Sequence, residues 1–227
     1  MGVSHRPRSP DTGARELLRA GVGVSMPGER VGTSVPACRE DLRKRIAAAT
    51  PEDTVRGLSF NGIFAAVREH CGDETARATD SRGKGSRTAF VSYPVADFLT
   101  VAWNAADALE GAYGTVDSVF YEMGRRGALA VFDSLWGRTL LSLAGGHAHG
   151  LATQVGPGYR GAVSYGERNL EWVGPRHCRI TFRHDFLVPQ YHCGVLATAL
   201  EFQGVRNIRV EGRQTGLLDA EYEAWWD

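Results

Sequence analysis

Between Arg39 and about Arg160 the apolar positions repeat every three to four residues; beyond Ser164 they repeat every second residue. The first spacing predicts helices and the second strands, because side chains return to one face with those periods. Leu42, Ile46 and Ala49 mark a helix over 39–49. Thr50-Pro51-Glu52-Asp53 has the cap, N1 proline and acidic first turn of another helix start. Phe60, Ile63, Phe64 and Val67 follow at helical spacing over 58–71, until Gly72 closes the run. Pro94 opens a helix carrying Val95, Phe98, Leu99, Ala102, Ala106 and Leu109, with its stop at Gly111 or Gly114. From Thr115 a second strong helix carries Val116, Val119, Phe120, Met123, Val131 and Leu135. Gly124 and Gly127 inside it each cost about 1 kcal/mol relative to alanine, which predicts close helix approach there. A short apolar helix over 138–144 ends at Gly145-Gly146, and a weaker one over 149–160 breaks near Gly156-Pro157-Gly158.

After Ser164 the pattern becomes that of a hairpin. Leu170 and Trp172 alternate with Asn169, Glu171 and Val173, Gly174-Pro175-Arg176 turns the chain, and Cys178, Ile180 and Phe182 alternate with Arg179, Thr181 and Arg183. Helical spacing returns over 190–202 through Tyr191, Val195, Ala199 and Phe202, up to Gly204. Two final strands follow. One sets Ile208, Val210 and Gly212 against Arg209, Glu211 and Arg213; the other sets Ala220, Tyr222, Ala224 and Trp226 against Asp219, Glu221 and Glu223. The outward arginines and acids suit antiparallel neighbours, where such a pair contributes about 0.2–1 kcal/mol. The fold class is therefore α+β, a helical N-terminal half packed on a C-terminal strand-strand-helix-strand-strand antiparallel sheet.

Composition narrows the function classes. The chain has 227 residues, 43% hydrophobic and 23% charged, with a formal net charge of zero. That length suits one domain with an arm: residues 1–36 are rich in Gly, Pro, Ser and Arg and lack periodicity, so they read as a disordered arm before a single α+β domain over 37–227. The segment 78–88 is a polar glycine-rich loop expected to fray. Balanced charge offers no footprint for nucleic acid, and no apolar run has the roughly 18–20 residues of a membrane span. Cys38, Cys71, Cys178 and Cys193 form no CxxC pair, and no secretory segment is evident, so a reducing, cytoplasmic setting is expected.

No motif assembles a convincing catalytic or metal centre. His177, Cys178, His184, His192 and Cys193 crowd one stretch, but His177 and Cys178 point to opposite faces of a strand, and His192 and Cys193 diverge by about 100° on a helix. His147 and His149 form an H-x-H pair in what reads as a helix-end loop. Ala162-Val163-Ser164-Tyr165-Gly166 is similar to a hydrolase nucleophile elbow, yet that motif needs a strand before the serine and a helix after it, the reverse of the order here. Arg125-Arg126 and Arg176, Arg179 and Arg183 read as solvated faces, and Gly21-Val22-Gly23 lacks the strand and lysine of a phosphate loop. Aromatic residues Phe60, Phe64, Tyr93, Phe98, Trp103, Trp136 and Trp172 read as core, with lining of an apolar pocket as the alternative.

Five runs carry a resemblance: Thr50 to Gly57, Phe60-Asn61-Gly62, Tyr93 to Leu99, Ala162 to Arg168, and Gly212 to Asp219. Together they resemble a family of uncharacterised proteins, expanded in myxobacteria and classed as a domain of unknown function, over about 39–227. More distantly, Tyr191-His192-Cys193-Gly194-Val195-Leu196, Val210-Glu211 and Gly216 are similar to the superfamily of the 4-vinyl reductase ligand-binding domain, the heme nitric-oxide-binding domain and the TRAPP tethering subunits. That likeness implies the same helical half and strand-strand-helix-strand-strand module, binding of a small hydrophobic ligand, heme or a partner protein, and dimerisation. Residues 206–227 hold no cysteine of the zinc-binding kind, and Tyr165-Gly166-Glu167-Arg168 departs from the Tyr-x-Ser-x-Arg heme motif, so neither zinc nor heme is expected and no cofactor is assigned.

The resulting expectation is a non-enzymatic, cytoplasmic small-molecule-binding or sensory domain, homodimeric, with an apolar pocket between helices and sheet. Its alternatives are a protein-interaction module of the tethering kind and, behind that, a metal protein or hydrolase. Tyr165, Arg168, Trp172, His184 and His192 are the candidate ligand-binding residues, since they gather at hairpin and helix entries where superfamily pockets open. Arg168 and Trp172, four apart on a strand, share a face.

Overall fold

A computed structural model describes residues 39–145 and 148–227. The arm expected over 1–36, Cys38 and His147 lie outside the described residues. Helix α1 (Arg39–Ala48) precedes a short strand β1 (Thr54–Arg56), helix α2 (Gly57–Ala78), strand β2 (Ser92–Pro94) and the long helices α3 (Val95–Tyr113) and α4 (Val116–Asp133). Three short helices follow, α5 (Leu135–Leu143), α6 (Ala148–Thr153) and α7 (Val155–Ala162). The chain then forms β3 (Glu167–Gly174), β4 (His177–Arg183), α8 (Pro189–Phe202), β5 (Arg209–Gly216) and β6 (Asp219–Trp225). The last four strands form one antiparallel sheet in the order β3-β4-β6-β5, and β1 and β2 pair separately. This is the α+β arrangement that the change of period predicts.

Two cores meet at α8. In the helical half Phe60, Phe64, Phe98, Trp103 and Phe120 are fully buried, and the Phe60–Phe98 and Trp103–Phe120 rings meet edge to face at 4.9 and 4.8 Å. The sheet's inner face presents Cys178, Ile180 and Phe182 from β4 and Ala220, Tyr222 and Ala224 from β6, packed beneath Leu196 and Leu200 of α8. Its outer face carries the complementary charges: Arg213 lies opposite Glu221, and Arg179 opposite Glu223 at 2.7 Å.

The close approach predicted for α4 is made against α8. A Cβ at Gly124 would overlap the Tyr191 carbonyl oxygen, and one at Gly194 would overlap the Tyr121 carbonyl oxygen, so the two backbones meet through a reciprocal glycine contact. Gly127 serves the same contact one turn on, beneath the Tyr191 ring.

Several expectations are corrected. Thr50-Pro51-Glu52-Asp53 forms a turn, not a helix start: Asp53 Oδ2 accepts from the Thr50 amide at 2.8 Å, and Thr54-Val55-Arg56 then pairs with Ser92-Tyr93-Pro94. The cap signal fails because β-branched Thr54 and Val55 follow it and find a partner strand. The loop over 78–88 is organised, not frayed. Asp80 accepts from the Arg82, Lys84 and Gly85 amides and takes both terminal nitrogens of buried Arg87 at 2.6 Å. These partners, with the Arg87 side chain lying over the Phe60 and Tyr93 rings, supply the order that loop composition conceals. Pro157 does not break the final helical stretch. It stands in the first turn of α7, where a missing N–H is tolerated, and the break falls at Gln154.

Candidate functional site

A cavity of about 120 Å³ lies between the helical half and the entry of the sheet. Each wall follows from a local spacing. Helix α7 turns Val155, Gly158, Tyr159 and Ala162 inward at i, i+3, i+4 and i+7, while α8 contributes Tyr191, Val195 and Ala199 on one row and His192 and Leu196 on the next. Helix α4 adds Gly127, Ala128, Val131 and Phe132, α5 adds Leu140, and Phe98 and Val55 close the helical side. Aliphatic and aromatic groups make most of this surface, as in small-molecule sites generally.

One end of the cavity is polar and fully buried. β3 pairs with β4 so that Arg168 stands opposite Phe182 on the inner face. Its guanidinium lies over the Tyr159 and Phe182 rings at 4.8 and 5.2 Å and donates to the Tyr165 carbonyl and to Asp185 Oδ2. Asp185 Oδ1 accepts from His192 Nε2 at 2.7 Å and from the Leu187 amide at 3.1 Å. The second ring nitrogen of His192, Nδ1, meets the Tyr159 hydroxyl at 2.8 Å. A ring that gives its Nε2–H to Asp185 presents Nδ1 to the Tyr159 hydroxyl. The side chains of Arg168, Asp185 and His192 are each 3% exposed. Burial works to raise the Asp185 carboxyl pKa, but His192, Arg168 and the Leu187 amide outweigh it and hold the group well below the usual carboxylate range. Burial pushes the Tyr159, Tyr165 and Tyr191 phenols upward, so all three keep their protons.

The approach to this end needs two unusual backbone positions. Gly166 has φ +76, and a Cβ there would lie 2.7 Å from the His184 carbonyl oxygen. His184 itself has φ +53, in the left-handed region, as the chain leaves β4 and turns Asp185 inward. Its amide donates to Asp219 Oδ1 at 3.1 Å, and its half-exposed ring reaches Asp53 at 3.3 Å.

Of the five candidate residues, Tyr165, Arg168 and His192 line the cavity, whereas Trp172 and His184 do not. Trp172 shares the face of Arg168 but sits at the far end of β3, stacked on His149 at 3.9 Å and edge to face with Trp226. His184 belongs to the turn. The sequence pattern marks none of Tyr159, Tyr191 and Asp185 as ligand-site residues, although the structure places all three at the cavity. One signal was present: an arginine on the inward face of β3 needs a carboxylate, and Asp185 is the acid that follows β4.

The remaining chemistry-bearing residues are occupied elsewhere. Ser164 donates to the Glu52 carbonyl and accepts from the Thr54 amide at 2.8 Å, pinning the end of α7 to β1. His177 pairs with Glu223 on the outer face of the sheet. Burial pushes the Cys178 thiol up to about 11 and the Cys193 thiol up to about 12. Among the described residues no group of three or more His, Cys, Asp or Glu is placed to share a metal ion.

A helical half closed on a β3-β4-α8-β5-β6 module is the fold that this chain shares with solved H-NOX structures. The chain is similar to the H-NOX protein of S. oneidensis solved in its Fe(II)NO state, with 10% identity and a TM-score of 0.58 over 76% of this chain and 99% of that one. It is likewise similar to the Fe(II) unliganded H-NOX protein of K. algicida, with 14% identity and a TM-score of 0.54 over 76% and 96%. At these identities the likeness concerns the fold. The chain itself belongs to the family described as protein of unknown function, DUF2378, whose model matches residues 48–227. No functionally curated protein matches it.

The described lining residues do not fit a heme. Heme iron takes a histidine, cysteine, methionine or tyrosine ligand. His192 is the one imidazole among them and both its nitrogens are engaged, no described cysteine or methionine lines the cavity, and the three tyrosines are held protonated. Arg168, the group suited to a propionate, is already given to Asp185.

Proposed function

We propose that the protein is a non-enzymatic small-molecule-binding or sensory domain whose ligand occupies the cavity between the helices and the sheet. One observation carries this reading: an apolar cavity of about 120 Å³ bounded at one end by a buried polar cluster whose charges are already matched. An engineered apolar cavity of about 150 Å³ stays dry and admits benzene or xenon, which sets the scale of the occupant. Helix α7 forms one wall without a single fully buried residue, so it is the wall whose position a ligand can bias. Signalling would then be a population shift, requiring tighter binding to one of two arrangements of α7. The protein is read as cytoplasmic and homodimeric, without nucleic-acid partners; no helix among the described residues is long and apolar enough to cross a membrane.

Toluene tests the reading. At about tenfold excess over its dissociation constant it should stabilise the fold by about 1.4 kcal/mol, raising Tm by about 3–5 °C. Ala199→Phe, which fills the cavity from α8, should abolish that increment while leaving a cooperative transition. An unchanged Tm for the natural chain at saturating toluene would overturn the proposal.

A second reading, a protein-interaction module, is favoured by Leu135 and Leu143, 82% and 68% exposed on α5. It predicts that Leu135→Ser with Leu143→Ser removes self-association in sedimentation without altering toluene binding.

A further inference from the structure

We propose that the cavity selects an uncharged molecule the size of one aromatic ring that carries a single oxygen function, a hydroxyl or a carbonyl. The inference rests on reading the cavity as a ligand site, and it concerns what the polar end accepts. Charge is settled inside the protein. Arg168 and Asp185 neutralise one another with their side chains 3% exposed. The carboxylate already accepts from Arg168, His192 and the Leu187 amide, and the terminal nitrogens of Arg168 are given to Asp185 and the Tyr165 carbonyl. An incoming carboxylate or ammonium would be buried without a counter-charge, which costs several kcal/mol per ion.

Hydrogen-bonding capacity is not settled in the same way. Tyr165 and Tyr191 line the cavity, and neither hydroxyl has a hydrogen-bond partner among the described residues. Arg168 Nε, at the same end, also lacks a partner but is enclosed by protein and out of a ligand's reach. Both phenols keep their protons, since burial raises their pKa. The end therefore offers unused O–H donors and no unused carboxylate, which calls for an acceptor on the ligand. Gly127 fixes where Tyr191 offers its donor: a Cβ at Gly127 would lie 2.6 Å from Tyr191 Oη, so only glycine lets the hydroxyl rest against α4. The rest of the lining, including Phe98, Val131, Val195 and Leu196, offers apolar contact and suits a ring or short alkyl body.

The test is a calorimetric titration of the full chain at neutral pH with three molecules of one size: toluene, phenol and benzoate. Phenol should bind roughly three- to tenfold tighter than toluene, the worth of one neutral hydrogen bond, and benzoate should not bind at concentrations where toluene saturates. In Tyr165→Phe with Tyr191→Phe, the preference for phenol over toluene should disappear. Should the double variant fail to fold, Tyr191→Phe alone should give at least half of that loss on the logarithmic scale. Equal affinities for phenol and toluene in the natural chain, or tightest binding by benzoate, would overturn the inference while leaving the cavity reading standing. Binding by none of the three would overturn both.

Discussion

The residue on which the polar end depends is Asp185. Replacing it by asparagine keeps the shape but leaves the Arg168 charge buried and unpaired, and breaking a buried pair in this way costs about 3–5 kcal/mol. Urea denaturation of Asp185→Asn should show a loss of that size; a change below about 1 kcal/mol would mean that Arg168 finds water instead. Acid should reveal the same group. Asp185 and Asp80 are both held well below the ordinary carboxyl pKa of about 3.9, Asp80 chiefly against its own burial by Arg87. Their contribution is therefore fully present above that value and is lost as pH falls from about 4 towards the folded pKa, because the unfolded chain binds protons first. Stability should be flat from neutral pH to about pH 5 and fall steeply below pH 4, less steeply in Asp185→Asn. At this scale the sequence was partly legible. Arg168 and His192 stand out as polar residues on apolar faces, but Tyr159 and Tyr191 look like ordinary helix-face aromatics until the fold brings three helices and a strand together around them.

At the scale of elements, α4 and α8 provide the sharpest contrast. Glycine inside a helix is destabilising relative to alanine by about 1 kcal/mol, yet Gly124 and Gly194 each sit where a Cβ would strike a carbonyl oxygen of the other helix. Gly124→Ala and Gly194→Ala should therefore destabilise, by about 1–3 kcal/mol as for other overpacked sites. Gly111→Ala, in open space on α3, should stabilise by about 0.4–1 kcal/mol. Equal effects at all three positions in thermal melts would contradict the reciprocal contact. The glycines of α4 announced this contact because nothing in a solvated helix requires them. The hairpin and the last two strands were equally readable, since period-two alternation with Gly174-Pro175-Arg176 between runs admits few other structures. What composition could not disclose was β1, β2 and the Asp80 loop. Three-residue strands leave no periodicity, and a polar loop ordered by one carboxylate has the same residues as one that is not.

In the whole molecule, an α+β architecture holds a cavity at the junction of its two cores. The alternation of periods anticipated the architecture, because each half of the sequence carries its own period. The cavity has no such signature. It is the volume left where α4, α7 and α8 cannot close over small residues such as Gly127, Gly158, Ala162 and Ala199, and no local pattern distinguishes these from glycines and alanines in a filled core. The surface carries a separate message in Leu135 and Leu143, exposed on the helix that also turns Leu140 into the cavity. The most direct test of the central claim is a methyl-resolved NMR titration of the full chain with toluene. The account predicts saturable shifts at Val131, Leu140, Val155, Leu187, Val195 and Leu196, with Leu42, Val67 and Leu109 unmoved. Shifts confined to Leu135 and Leu143, or none up to the solubility limit of toluene, would contradict it.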